Sequence, residues 1–502
     1  MSDELLAKRL ELLWPYPKSL DLQGSFPRPA WLAITQDDLP DWFVEDVDFL
    51  RDGYGAPLSF SIESDVTTLP AEGYRLRIDH GGVCIEAADE RGRLYALQTF
   101  AQIAIMCRNL AEWPRLTISD APTFRRRAFM VDLGRSIWSP EMLRRTIRML
   151  RRLKLNMLHL HLIDDELCGL KFDTLPFGHD NPHALSKREL AEIGRYARAH
   201  GVEVMIEIET WGHVGALVHH MPELKGGDGV WGGASFLIGE QTFSIVGQML
   251  REIAEVIPED GLLHLGLDEA KWFLSEEMPP TFTPLDMIAR YEEMARSILH
   301  AAGKDGVEII AYADHHGRTL SPDSRIILQP WNYWIKDKTD IEQKLAAYAT
   351  LPAGRTWFPM AGQSMAQHRG AYAATRFWCQ GCASLDNVEG IDLAFWGRND
   401  LADRFITLFA GAQYVWNPHP ASTLGRIEDS EHYDALVQPI MQFHQNAFAD
   451  LSPEAWKEEA LEYVYRGFYR TGKRNGQPVA PTALTADTDP NQAFYSEIAA
   501  SL

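Results

Sequence analysis

The pattern of apolar and polar positions changes its period near residue 122 of this 502-residue chain. Before that point apolar and polar residues alternate over Tyr74-Arg75-Leu76-Arg77-Ile78 and Val83-Cys84-Ile85, with Gly81-Gly82 between them. That is the signature of two half-buried strands joined by a tight hairpin. Leu94, Leu97, Phe100, Ala101 and Ala104 then recur at spacings of three and four, which predicts an amphipathic helix. Sheet plus helix predicts a small α+β domain over 1–122, and Ile118-Ser119-Asp120-Ala121-Pro122 reads as the linker that ends it.

From Arg127 the apolar runs become continuous, as strands buried on both faces of a parallel sheet require. The runs are Ala128 to Leu133, Leu155 to Ile163, Val202 to Ile208, Leu262 to Leu267, Val307 to Tyr312, Arg325 to Gln329, Thr356 to Met360 and Ile391 to Trp396. Helices with readable starts lie between them. Ser139-Pro140-Glu141 supplies an N-cap, a proline at the first helical position and an early acid, and Ser186-Lys187-Arg188-Glu189 is a capping box. Eight such strands alternating with helices predict a (β/α)8 TIM barrel over 123–425. An open doubly wound sheet is the alternative, but no glycine-rich phosphate turn follows an early strand. A helical C-terminal extension is expected over 426–471, and a flexible tail rich in Pro, Thr, Asp and Gly over 472–502.

With 46% hydrophobic residues a large core is available, and 70 acids against 48 Lys and Arg give a formal charge of −22. Such a field repels phosphate backbones and anionic lipid, so neither nucleic acid nor membrane is an expected partner. The longest apolar run, Phe405 to Trp416, is too short to span a bilayer and reads as a buried helix. Met1 to Leu6 carries early acids and no signal-peptide pattern. Five scattered cysteines argue against a disulfide framework. The expected location is the cytoplasm, and the expected assembly is a symmetric homodimer.

A TIM barrel places its chemistry at the C-terminal ends of its strands. The hexapeptide His264-Leu265-Gly266-Leu267-Asp268-Glu269 ends an apolar run on two adjacent carboxylates, which are costly to bury unless their charge or proton is used. Strand alternation would put Asp268 on the face of His264 and Gly266 and turn Glu269 elsewhere; a plain helix N-terminus is the alternative. Strand one ends at Asp132 and Arg135. Strand two carries His159 and His161 and ends at Asp164-Asp165-Glu166, and strand three delivers Glu207, Glu209 and Gly212-His213. Strand five ends in Tyr312, Asp314, His315 and His316, strands six to eight bring Trp331, Trp357 and Trp396, and Arg398 and Asp400 follow. Carboxylates ringed by aromatic faces suit a sugar, whose C–H faces stack and whose hydroxyls need polar partners.

These strand ends resemble family 20 glycoside hydrolases, the β-N-acetylhexosaminidases. The family's arginine after strand one, its Asn-x-x-His-x-His-Leu-x-Asp-Asp, its Gly-His and its Asp-Glu appear as Arg135, Asn156 to Asp165, Gly212-His213 and Asp268-Glu269. Gly73 to Ile103 is similar to the α+β domain that precedes the barrel in these enzymes. Leu267 replaces the usual second glycine before the acids, and Trp211-Gly212-His213 replaces Pro-Gly-His. The strand-seven tyrosine that usually holds the acetamido group has no evident counterpart. Trp357 to Gly362 and Arg398-Asn399-Asp400 look closer to the intracellular hexosaminidase D branch, which tends to favour N-acetylgalactosamine.

The resemblance implies a glycan ending in N-acetylhexosamine as partner, no cofactor and no metal. Adjacent carboxylates do not straddle a sugar as an acid and a nucleophile about 5 Å apart do, and substrate-assisted catalysis is the recognised exception. Glu269 is then the acid and base, its pKa expected to be raised by Asp268 and burial, and Asp268 orients the acetamido group. His213 with Asp164 or Asp165 forms a relay to Glu269. Arg135 grips ring hydroxyls, Arg398 and Asp400 are candidates for O4 and O6, and Trp331, Trp357 and Trp396 wall the pocket. His161, Glu209, Tyr312 and Asp314 complete the expected substrate contacts. Three rivals stand beside this. A metal-dependent hydrolase would use His159-x-His161 with Asp314, His315 and His316, and a thiol redox site would use Trp378-Cys379-Gln380-Gly381-Cys382. A sugar-binding homologue without hydrolysis is the third.

Overall fold

Eight parallel strands form one sheet in the computed structural model: Arg126–Asp132, Met157–His161, Glu203–Glu207, Leu262–His264, Glu308–Tyr312, Ile327–Gln329, Met360–Gln363 and Gly390–Phe395. The first pairs with both the second and the eighth, and the parallel bridges Leu328–Trp357 and Trp331–Met360 join the sixth strand to the seventh, so the sheet returns on itself as a TIM barrel. The structure describes residues 3–451, apart from 34–38, 51–57, 230–232, 314–319, 322, 336, 349–355, 364–371, 397–400, 421–429 and 449–450, together with 473–474 and 477–478.

Both helix starts read from sequence are present. Ser139 Oγ accepts from the Met142 amide at the head of Pro140–Arg152, and Ser186 with Glu189 closes a capping box before Lys187–Ala199. Inside the barrel, Ala128, Met157, Met205, Leu262, Ile310, Ile327 and Phe358 form one apolar cluster. Met130, Tyr312, Tyr333, Met360 and Ala394 form another, with Trp331 and Trp396 packed on it. In register across the first four strands, Asp132, His161, Glu207 and His264 lie side by side.

Two compact units divide the chain: Met1–Arg125, Arg152–Lys154 and Phe409–Pro453 in one, Arg126–Arg151 and Leu155–Leu408 in the other. The first holds a six-stranded sheet in the spatial order Ser19–Pro27, Glu112–Asp120, Tyr74–Asp79, Gly82–Ala87, Leu58–Glu63, Leu32–Ala33. The predicted hairpin is there, with Ile78 opposite Val83, and the predicted helix spans Glu90–Met106 with Asp89 as its N-cap.

Three expectations about boundaries are corrected. Ile118 to Asp120 is not a linker but the end of strand Glu112–Asp120, paired on both sides. Asp120 is buried there and accepts from Trp416 Nε1 and Tyr74 Oη, with Lys154 Nζ 3.4 Å away. The barrel does not run to 425, because residues from Phe409 onward group with the first unit: Trp14 stacks on Phe409 at 4.7 Å and Trp416 meets Tyr95 edge-on at 5.0 Å. The helix Ser430–Ala447 belongs to the same unit, not to a separate extension, and His444 Nε2 donates to the Leu12 carbonyl. Within the expected tail 472–502, Lys473–Arg474 pairs with Gln477–Pro478 and the rest lies outside the described residues, as do 452–472.

Candidate active site

The fourth strand ends at His264, four residues before the acids, so Asp268 and Glu269 sit in a loop and strand alternation does not orient them. The cause is a ring-to-backbone bond. The Gly266 amide donates to His264 Nδ1 at 2.9 Å, which leaves the proton on Nε2, 2.9 Å from Gln329 Oε1. Three residues of the loop then turn left-handed: Gly266 at φ +65°, Leu267 at +81° and Glu269 at +44°. Positive φ at Leu and Glu is strained, and here it sets the directions of the two carboxylates.

His213 is the junction. Its Nε2 lies 3.3 Å from Glu269 Oε2 and 3.8 Å from Asp268 Oδ2, while Nδ1 lies 3.3 Å from Asp164 Oδ1 and 3.2 Å from Asp165 Oδ2. Both aspartates of the expected relay therefore contact it. Gly212 permits the approach, because a Cβ there would fall 2.3 Å from the Asp268 carbonyl oxygen. Burial alone would favour neutral imidazole, but Asp164 and Asp268 override it and hold His213 well above the usual histidine range, as imidazolium. Asp165 is fixed in turn, its Oδ1 accepting from the Gly215 and Ala234 amides.

Arg135 lies within 2.5 Å of Asp164, 3.2 Å of Asp132 and 3.4 Å of Glu166, and its guanidinium carbon is 5.3 Å from the Trp396 ring centre. Its ion pair with Asp132 is thus one of three. Burial would raise the Asp164 pKa, yet Arg135 and His213 hold it well below the carboxylate range.

Beneath this lies a line of acids and imidazoles; sequence reading named its His159, His161, Glu207 and Asp164 but missed Asp392 and the contacts that join them. Asp392 Oδ2 is 2.7 Å from His159 Nδ1, His159 Nε2 is 2.9 Å from Glu207 Oε2, Glu207 Oε2 is 2.6 Å from His161 Nδ1, and His161 Nε2 is 3.0 Å from Asp164 Oδ2. His161 hydrogen-bonds a carboxylate at each ring nitrogen, while His159 hydrogen-bonds Asp392 through Nδ1 and meets Glu207 through Nε2 as an ion pair. These carboxylates hold both rings as imidazolium. Burial opposes this, but Asp392 and Glu207 raise His159 to about 9. The signal for Asp392 was an Asp inside the apolar run Ile391 to Phe395.

The aromatic wall is partly as expected. Trp331 stacks on Tyr333 at 5.8 Å, and Trp396 Nε1 donates to the Tyr333 hydroxyl at 2.7 Å while its ring meets His161 edge-on at 5.0 Å. Tyr333, past the sixth strand, was not anticipated. Tyr312 is present, buried, its ring 4.3 Å from His264.

Two expected contacts are corrected. The seventh strand begins at Met360, not Thr356, and Trp357 bridges Val388, before the eighth strand starts at Gly390. Trp357 therefore lies at the opposite, N-terminal end of the strands from Trp331, which bridges Met360. Glu209 is fully enclosed, so it offers no surface to a sugar. Asp314, Arg398 and Asp400 lie outside the described residues, as do His315 and His316.

The rivals fare differently. His159 and His161 each place both ring nitrogens within 3.0 Å of a carboxylate, and Asp314, His315 and His316, the other ligands of the metal reading, lie outside the described residues. Cys379 and Cys382 lie buried in the helix Tyr372–Cys382, and burial pushes the Cys382 thiol up to about 12 and Cys379 well above the thiol range, the opposite of a reactive thiolate.

Comparison with known proteins gives a family. The description Glycosyl hydrolase family 20, catalytic domain, matches residues 124–375, and Glycosyl hydrolase family 20, domain 2, matches 13–121. The chain belongs to glycosyl hydrolase family 20. Among family 20 relatives, a β-hexosaminidase of Akkermansia muciniphila is 29% identical over 255 residues, 46% of this chain and 52% of that protein. The N,N′-diacetylchitobiase of Vibrio harveyi is 29% identical over 204 residues, 33% of this chain and 23% of the relative. The match thus spans about half the length of the first relative and less of the second. The structure of the family 20 β-N-acetylhexosaminidase of Streptomyces coelicolor A3(2) superposes with a TM-score of 0.66 at 21% identity, covering 88% of this chain and 97% of that one, which shows a shared fold.

Proposed function

We propose that this family 20 chain is an exo-acting, retaining glycoside hydrolase that releases terminal β-linked N-acetylhexosamine by substrate-assisted catalysis. The observation that carries this is the placing of two neighbouring carboxylates on one imidazolium, Glu269 at 3.3 Å and Asp268 at 3.8 Å from His213 Nε2. Glu269, its side chain 20% exposed, protonates the leaving glycosidic oxygen while the acetamido oxygen of the substrate attacks the anomeric carbon. The bond from the anomeric carbon to the glycosidic oxygen breaks, and Asp268 accepts the acetamido N–H and balances the oxazolinium charge. Water then adds at the anomeric carbon as its bond to the oxazolinium oxygen breaks and the acetamido group is restored, giving its proton to the Glu269 carboxylate. His213, held positive by Asp164 and Asp165, stabilises that carboxylate between the two steps. Relatives named β-hexosaminidase and N,N′-diacetylchitobiase support the substrate class.

Two finer assignments belong to the same proposal. A preference for N-acetylgalactosamine rests on the likeness to the D branch, and a reducing, cytoplasmic setting rests on five cysteines none of which is disulfide-bonded. The test is hydrolysis of nitrophenyl β-N-acetylgalactosaminide and β-N-acetylglucosaminide beside the plain β-galactoside and β-glucoside, with wild type and Glu269→Gln. Turnover of the N-acetyl sugars alone, lost in the variant, is expected. Equal turnover of the plain glycosides, or none of the four, overturns this function.

A further inference from the structure

The loop that carries Asp268 and Glu269 is braced by a short strand outside the barrel. After the third barrel strand, Lys225–Asp228 and Ala234–Phe236 pair antiparallel as a separate two-stranded sheet. All three residues of Ala234–Phe236 are buried, Ser235 completely. A buried hydroxyl needs a partner, and Ser235 Oγ has one: it accepts from the Lys271 amide at 3.0 Å, two residues beyond Glu269. The chain past that bond stays alongside, because the Ile238 amide donates to the Phe273 carbonyl and the Ser275 amide to the Ile238 carbonyl.

The same strand reaches the other side of His213. The Ala234 amide donates to Asp165 Oδ1 at 2.8 Å, and the Gly215 amide donates to the same oxygen at 3.0 Å. Asp165 is thereby turned so that its Oδ2 meets His213 Nδ1 at 3.2 Å. The Phe236 amide donates to the Trp211 carbonyl and the Val214 amide to the Ala234 carbonyl, which ties down the chain on both sides of His213. Loops after the second, third and fourth barrel strands thus rest on three consecutive residues. Glycines fit the hairpin to the site: a Cβ on Gly233 would fall 1.9 Å from Asp165 Oδ2, and one on Gly226 or Gly227 would fall 2.5 or 2.4 Å from Phe273 side-chain carbons.

We propose that Ala234 and Ser235 are positioning residues that set the spacing of the relay. Ala234 holds Asp165 against one nitrogen of His213, and Ser235 holds the Glu269 loop against the other. Ser235 therefore acts through Glu269, an inference that rests on the roles given above to Glu269, His213 and Asp165. A general acid works only within hydrogen-bond reach of the oxygen it protonates, so a carboxyl displaced by about an ångström loses much of its effect.

The test uses Ser235→Ala, which removes the acceptor for Lys271, and Gly233→Ala, which pushes on Asp165. On alkyl β-N-acetylhexosaminides, whose leaving groups need protonation, kcat/KM of Ser235→Ala should fall by about tenfold or more. On the dinitrophenyl glycoside it should change by less than about twofold. An equal loss on both, as a plain loss of folded enzyme gives, or no loss on either, overturns the proposal. Nitrogen-15 spectra of the full chain with labelled histidine test it apart from turnover, the His213 signals being assigned with His213→Asn. Ser235→Ala should move the Nε2 resonance and spare Nδ1, and Gly233→Ala should move Nδ1 and spare Nε2. Both resonances unmoved in Ser235→Ala overturns the proposal. Should the wild type hydrolyse none of the sugars above, the proposed function fails while the resonances still decide whether Ser235 sets the contact between Glu269 and His213.

Discussion

His213 Nε2 lies 3.3 Å from Glu269 Oε2 while its Nδ1 lies 3.2 Å from Asp165 Oδ2, at a residue whose own backbone is left-handed, φ +51°. The ring stands between an acid that must change its protonation and two that do not. A positive imidazole there favours the carboxylate form of Glu269 that follows proton donation. His213→Asn should lower kcat by about a hundredfold on glycosides with poor leaving groups and by less on nitrophenyl glycosides, which need little protonation. A Brønsted series over leaving-group acidity checks this: the slope should steepen in the variant.

The buried line ending at Asp392 gives a signed dependence of stability on pH. His159 titrates near 9 in the folded chain and near 6.5 when unfolded. A raised folded value stabilises fully below about pH 6.5, and that contribution is lost as pH rises through about 9. The contribution is on the order of 3 kcal/mol at its fullest. Urea unfolding of wild type and His159→Gln should therefore differ most at pH 6 and least near pH 10. An equal difference at both ends would show that His159 is not held charged.

Trp396 and Trp357 should separate cleanly. Trp396 touches Tyr333 and His161 and lies under Arg135, whereas Trp357 sits at the far end of the strands. Trp396→Ala should raise KM by about tenfold or more, as loss of an aromatic face against a sugar ring implies. Trp357→Phe should leave KM near wild type and lower the melting temperature instead.

Gly266→Ala should damage both fold and function. The position has φ +65°, and the new methyl would fall 2.0 Å from Glu209 Oε2. Strain of about 1–3 kcal/mol is expected from the backbone and the clash together. Because the Gly266 amide also ties the loop to His264, kcat should fall by more than a similar loss of stability elsewhere would cause. Thermal melts and steady-state kinetics on the same preparation compare the two.

The fold was legible because burial on two faces leaves continuous apolar runs. All eight barrel strands were found in sequence, with ends off by a few residues. Trp357 was misplaced by direction: as the second residue of the expected run Thr356 to Met360 it already belonged to the N-terminal end of the barrel, where its bridge to Val388 puts it. Periodicity has no means of showing that a histidine ring stops a strand, as His264 does when its Nδ1 takes the Gly266 amide. Nor does it show that Phe409 and Trp416 pack with the N-terminal unit, since a buried helix looks the same wherever its partner lies. The site was legible where acids and histidines fell at strand ends in a family's order. Asp392 escaped because a polar residue within a strand reads as an interruption until its partners are seen.

In the proposed mechanism the substrate's own acetamido oxygen is the nucleophile. Replacing the acetyl group of an aryl β-N-acetylhexosaminide by mono-, di- and trifluoroacetyl weakens that oxygen stepwise with little change in size. For wild type, kcat/KM should fall steeply and in order along the series. A flat series would contradict this mechanism and would require one of the enzyme's own carboxylates to attack the sugar.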